Sequence, residues 1–130
     1  HRVDRRQRQM CIRDRYKEID LISKLKNKRE VFLQINIDND KNKSGIDPDL
    51  IFEYFEYSKN RINLPIGLMC IPNIQSDPNI VFSKMQNINT ELKKIYSEYK
   101  GELSMGMSED YEIALDYGAT IVRVGSKIFK

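Results

Sequence analysis

Tryptophan is absent from this chain of 130 residues, histidine occurs once, at position 1, and cysteine twice, as Cys11 and Cys70. Two cysteines without metal-ligand spacing exclude a disulfide scaffold and a zinc finger. A lone terminal histidine excludes Ser-His-Asp triads and histidine-rich metal sites. No run approaches the roughly 18 apolar residues of a membrane span, and no signal-peptide pattern opens the chain. No membrane partner is therefore expected, and the expected location is cytoplasmic. At about 100–200 residues per domain the length allows one domain. Folded alone, such a chain buries roughly two-thirds of its surface, enough for one core.

The net charge of +3 is unevenly spread. Residues 1–15 hold six arginines and two aspartates, and the remainder carries 16 basic against 17 acidic side chains. A basic arm of this kind can bind nucleic acid, but nothing downstream supports that partner, and none is expected. Met10-Cys11-Ile12-Arg13-Asp14 followed by Arg15 reads as one translated frame of a sequencing-library adapter. Residues 1–13 are accordingly set apart as a foreign or disordered head that packs against nothing; a natural disordered arm is the alternative.

From Tyr16 onward helix and strand patterns alternate. Tyr16 to Arg29 reads as a helix with Ile19, Ile22 and Leu25 on one side. Val31 to Ile37 reads as a strand whose second face shows Phe32, Gln34 and Asn36, residues unusual for a strand buried on both sides. Asp47-Pro48 and Asp77-Pro78 each start a helix, an N-cap followed by proline at the first helical position. The second of these carries Val81, Met85, Ile88, Leu92, Ile95 and Tyr99 in steps of four and three, one apolar stripe packed on a sheet, and Gly101 is expected to end it. Further strands are expected at Ile66–Ile71, Glu102–Met105 and Ala119–Val124. Between the last two, Ser108 would cap a helix over Glu109–Tyr117 that Gly118 closes. A helix followed by βα, βα, βα, β implies parallel strands joined by right-handed crossovers.

Ligands of parallel α/β folds bind at the carboxyl ends of the strands. Three segments of small residues fall there: Ser104 to Ser108, Gly125-Ser126, and the loop holding Lys43-Ser44-Gly45. Glycines let a backbone approach an anion, and hydroxyls and helix-start amides donate to it. Ordinary turns with a serine cap give the same composition. Arg123 sits inside an otherwise apolar strand, two residues before Gly125, and a buried charge there needs a partner; an edge arginine reaching water is the alternative.

Leu103-Ser104-Met105-Gly106-Met107-Ser108, and Gly118 through Arg123-Val124-Gly125-Ser126 to Phe129, resemble the C-terminal signature of the pyridoxal phosphate homeostasis proteins. These are single-domain relatives of the alanine racemase barrel. Gly67-Leu68-Met69-Cys70-Ile71-Pro72 resembles that family's sixth-strand motif. Leu33 to Ile37 with Lys43-Ser44-Gly45-Ile46 resembles its fifth. The match is collinear from about Asp14 to Phe129. It implies that residues 14–130 form the C-terminal half of a TIM-type (β/α)8 barrel, about four parallel strands with helices on the outer face.

By that resemblance Ser104 and the backbone and hydroxyl of Gly125-Ser126 would hold the phosphate of pyridoxal 5′-phosphate, Gly106 would be a further cofactor-binding residue, and Arg123 would face the pyridine nitrogen. A permanently protonated arginine keeps that nitrogen unprotonated and the ring a weak electron sink. The implied function is binding and buffering of the cofactor by a monomeric, non-catalytic carrier. The alternative is a pyridoxal-phosphate-dependent amino-acid racemase or decarboxylase of the same barrel class. The family's Schiff-base lysine lies on its first strand, and no residue here corresponds to it. Ser126-Lys127 stands where the family has Thr-Ala.

Overall fold

The structure, a computed structural model, describes residues 2–3, 10–12, 16–24 and 30–123. In chain order it contains β1 (Arg2–Val3), β2 (Met10–Ile12), α1 (Tyr16–Ser23) and β3 (Val31–Gln34). A 3-10 turn at Pro48–Leu50 then runs into α2 (Ile51–Arg61). β4 (Gly67–Met69), α3 (Pro78–Ile95), β5 (Glu102–Met107), α4 (Tyr111–Asp116) and β6 (Ile121–Arg123) follow. The strands form one sheet in the order β1-β6-β5-β4-β3-β2, and every pairing is parallel. The four strands expected from the sequence are β3 to β6, in sequence order and joined by helical crossovers, as in part of a barrel.

Alternation along the strands sorts side chains onto two faces. Val31, Leu33, Leu68, Leu103, Met105 and Val122 join Ile51, Phe55, Val81, Met85 and Leu92 of the helices in one buried core. Each such side chain contributes about 1.5–3 kcal/mol by leaving water. On the opposite face the register sets Phe32, Gly67 and Glu102 side by side, and then Gln34, Met69, Ser104 and Ile121. Gly67 is dictated by space: a Cβ there would lie 2.2 Å from the carbonyl oxygen of Glu102.

Both aspartate–proline starts form as read. The Asp47 carboxylate accepts the Asp49 N–H at 2.9 Å, and Asp77 accepts that of Asn79 at 2.9 Å, each satisfying an amide that has no partner inside its helix.

The structure corrects the sequence reading at several points. Residues 1–13 were expected to pack against nothing, yet Met10–Ile12 runs parallel to β3 and Ile12 is fully buried in the core. Arg2–Val3 pairs with β6, so the outer edges of β3 and β6 are both covered. α3 ends at Ile95, well before Gly101, because Tyr96 turns to an extended conformation (φ −112°, ψ 99°). Its hydroxyl donates to Glu56 Oε2 at 2.6 Å and its ring meets Phe55. Ile95 is consequently exposed, and Tyr99 reaches the core from a turn. Gly101, at φ +72°, serves the entry to β5 instead. Asp110, not Ser108, precedes α4, and its carboxylate accepts the Met107 N–H at 2.7 Å.

Candidate functional site

The carboxyl ends of β4, β5 and β6 meet around one guanidinium. Arg123, half-buried at the end of β6, donates from Nη1 to the Ser104 hydroxyl at 2.7 Å. From Nη2 it donates to the Cys70 carbonyl at 3.1 Å. One side chain thus crosses β5 to reach β4, on the face away from the helices. Arginine stays protonated at any accessible pH, so this end of the sheet carries a fixed positive charge with a planar fork of donors. Ser104 is buried, and the bond to Arg123 orients its hydroxyl.

Of the other residues singled out, Gly106 is buried at φ +104°, and a Cβ on it would meet Ala114 Cβ at 2.8 Å and Tyr111 Cα at 3.2 Å. Its missing side chain lets the start of α4 close onto β5, in a conformation L-residues rarely adopt. Beyond it a cleft of about 460 Å³ opens between the loop after β4 and the loop after β5, bordered by Ile71, Asn73, Ser76, Met107 and Ser108. Gly125 and Ser126 lie outside the described residues. Lys43 stands at the rim, where its ammonium donates to the Ile71 carbonyl at 2.7 Å. Among the described residues no cluster of His, Cys, Asp or Glu could hold a metal ion. None of their helices is long and apolar enough to cross a membrane.

A feature not read from the sequence is the fastening of two loops at this end. The Asp38 carboxylate accepts the Asn73 N–H at 2.6 Å and the Ser76 hydroxyl at 2.5 Å, and the Lys43 ammonium is 4.0 Å from it. These contacts join the loop after β3 to the loop after β4, so the rim of the cleft is held by both. No local spacing signals the Asp38 bonds to Asn73 and Ser76, which link residues 35 and 38 positions apart.

Cys70 shows how dry the helix side of this end is. Its thiol is fully buried, and burial pushes its pKa up to about 12, against which the nearby Arg123 charge acts in the opposite direction. A thiol so far from its thiolate is neither nucleophile nor metal ligand at neutral pH. Iodoacetamide at pH 8 is expected to leave Cys70 unmodified in the folded chain and to alkylate it after denaturation, as read by peptide mass mapping. Rapid alkylation of the native chain would contradict the burial.

No family model matches the chain. It is 37% identical over 105 residues to the pyridoxal phosphate homeostasis protein of Aquifex aeolicus, which covers 78% of this chain and 46% of that protein. The structure of PipY from Synechococcus elongatus without pyridoxal phosphate superposes with a TM-score of 0.80 at 25% identity. That match covers 95% of this chain and 61% of PipY. PipY with pyridoxal phosphate bound gives 0.77 at 23% identity, over 95% and 61% of the two chains. The chain spans about half the length of the curated relatives it matches. By sequence and by fold it is a relative of the pyridoxal phosphate homeostasis proteins.

Proposed function

We propose that this chain carries the phosphate and pyridine-nitrogen half of a pyridoxal 5′-phosphate site, in a protein that binds and buffers the cofactor without turning over a substrate. The observation that carries this reading is the Arg123 guanidinium, fixed between the Ser104 hydroxyl and the Cys70 carbonyl at the strand ends. The donor set fits the group: a buried hydroxyl beside a permanent cation. Ser104, with Gly106, Gly125 and Ser126, would receive the phosphate, and Arg123 would face the ring nitrogen. When bound, the cofactor supplies a conjugated ring able to accept electrons. Arg123 weakens that capacity, because a cation that cannot lose its proton does not pass one to the nitrogen. Weak electron withdrawal suits storage of the cofactor better than carbanion chemistry. The relatives' names and the pyridoxal phosphate bound to PipY support the same assignment.

Equilibrium dialysis of the 130-residue chain against pyridoxal 5′-phosphate and against pyridoxal tests it. The phosphate ester is expected to bind at least about tenfold more tightly, a difference of about 1.4 kcal/mol, and inorganic phosphate should compete with it. Borohydride reduction followed by peptide mapping is expected to label no single lysine stoichiometrically. Equal binding of ester and alcohol would overturn the phosphate assignment, and stoichiometric fixation on one lysine would overturn attachment by the phosphate and nitrogen alone.

A further inference from the structure

One wall of the cleft is held by polar bonds rather than by packing. Ile71 to Ser76, between β4 and α3, contributes no buried side chain; Ile71 is 43% exposed and Ile74 95%. A segment with so little apolar burial takes its position from whatever else it is bonded to. Those bonds come from the loop after β3. The Asp38 carboxylate, with its side chain only 7% exposed, accepts the Asn73 N–H on one oxygen and the Ser76 hydroxyl on the other. The Asn73 amide donates to Asp40 at 3.4 Å, and Lys43 donates to the Ile71 carbonyl.

The loop that supplies these groups is itself braced. Asn36 exchanges two hydrogen bonds with the backbone of Asp40, and the Asn42 N–H donates to the Asp40 carboxylate. Ile46 bridges back to Ile35 just past β3. A nearly buried carboxylate on such a loop is a strong anchor, because hydrogen bonds to a charged acceptor are roughly twice as strong as neutral ones. The anchored segment starts one residue after Cys70, whose carbonyl holds Nη2 of Arg123. Ile71, Asn73 and Ser76 line the cleft, and Asp38 does not. Whatever Asp38 does for the site, it does through the segment it grips.

We infer that Asp38 is a positioning residue of the candidate cofactor site. It holds the wall formed by residues 71–76 and, through it, the Cys70 carbonyl that fixes Arg123. This rests on the reading that the chain holds pyridoxal 5′-phosphate. Without the carboxylate, the Asn73 N–H and the Ser76 hydroxyl turn to water, the wall loosens, and the guanidinium loses a fixed acceptor while keeping its charge.

The test is a double-mutant cycle read by equilibrium dialysis against pyridoxal 5′-phosphate, with inorganic phosphate as competitor. It compares the unmodified chain, Asp38→Asn, Arg123→Ala and the double variant. Asparagine keeps the volume but offers one accepting oxygen where two donors arrive. Asp38→Asn is expected to lower affinity about tenfold. With Arg123 already replaced, the same change should cost less than twofold, because the group it positions is gone. Thermal denaturation verifies that the variants fold. If Asp38→Asn does not, Ser76→Ala carries the same cycle: it removes one bond to Asp38 at a half-buried loop position, and about a threefold loss is expected. An equal loss in both backgrounds, which a merely structural role would give, overturns the positioning role. Unchanged affinity in the single variant overturns it too, and leaves the cofactor reading standing as long as phosphate competes on the unmodified chain. Absence of phosphate-competed binding on the unmodified chain overturns the cofactor reading and this inference with it.

Discussion

Gly67→Ala is expected to destabilise the chain by about 3 kcal/mol, at the upper end for overpacking of a well-filled interior. The obstacle is backbone, not a side chain that could swing away. The new methyl would sit 2.2 Å from the Glu102 carbonyl oxygen and 2.7 Å from its carbon. β4 and β5 would have to separate at the position where Gly67 pairs with Glu102. The strain would reach the functional end as well, because Cys70, just past β4, supplies the carbonyl that holds Nη2 of Arg123. Urea denaturation followed by circular dichroism reads the loss, and a change below about 0.5 kcal/mol would show that the strands yield more easily than their spacing allows.

Arg123→Ala should act on stability and on binding together. It removes the hydrogen bonds to Ser104 and Cys70, each worth about 1.5–3 kcal/mol for a charged donor shielded from water. Arg123 is only half-buried, so a total near 2 kcal/mol is expected after screening. The Ser104 hydroxyl loses the group that orients it. Affinity for pyridoxal 5′-phosphate should fall by more than tenfold, by loss of the charge opposite the ring nitrogen and of the fixed hydroxyl at the phosphate. Arg123→Lys keeps the charge but has no planar fork to bond Ser104 and Cys70 at once, so it should recover part of the stability and less of the binding. Unchanged affinity in Arg123→Ala, measured by the same dialysis, would place the cofactor elsewhere.

The strands were legible because their chemistry is local. Val31-Phe32-Leu33 and Ile121-Val122 are apolar, β-branched or aromatic runs bounded by polar turns, and the aspartate–proline pairs mark helix starts through hydrogen bonds that span two residues. Periodicity misplaced the end of α3 because Tyr99 continues the apolar stripe from outside the helix. The exit is decided by a bond from Tyr96 to Glu56, 40 positions away. The packing of Met10–Ile12 was misjudged for a related reason: composition marks Met10-Cys11-Ile12 as out of character, but three residues of extended chain suffice to pair with β3, and Ile12 fits the same core as Leu33. At the candidate site, Arg123 was legible as a charge in an apolar strand. Its acceptors on Ser104 and Cys70 and the Asp38 fastening depend on which strands neighbour one another, and spacing along the chain does not encode that.

The pairing of β1 with β6 has a kinetic consequence. It sets Arg2 beside Ile121, so nearly the whole chain must be looped before that ladder can form. The entropy of closure grows slowly with length but must be met before the contact offers any return. β2 and β3, by contrast, bring Met10 to Val31 across a short interval. By the same reasoning β6 meets β5 early, since Ser104 and Ile121 are close in sequence, and β1 alone is expected to join last. In the folded chain β1, with two residues in the ladder, is the strand expected to open first. Because Arg123 stands on β6, the guanidinium at the centre of the candidate site is in place beside Ser104 early, and the late arrival of β1 closes the flank of a site already formed.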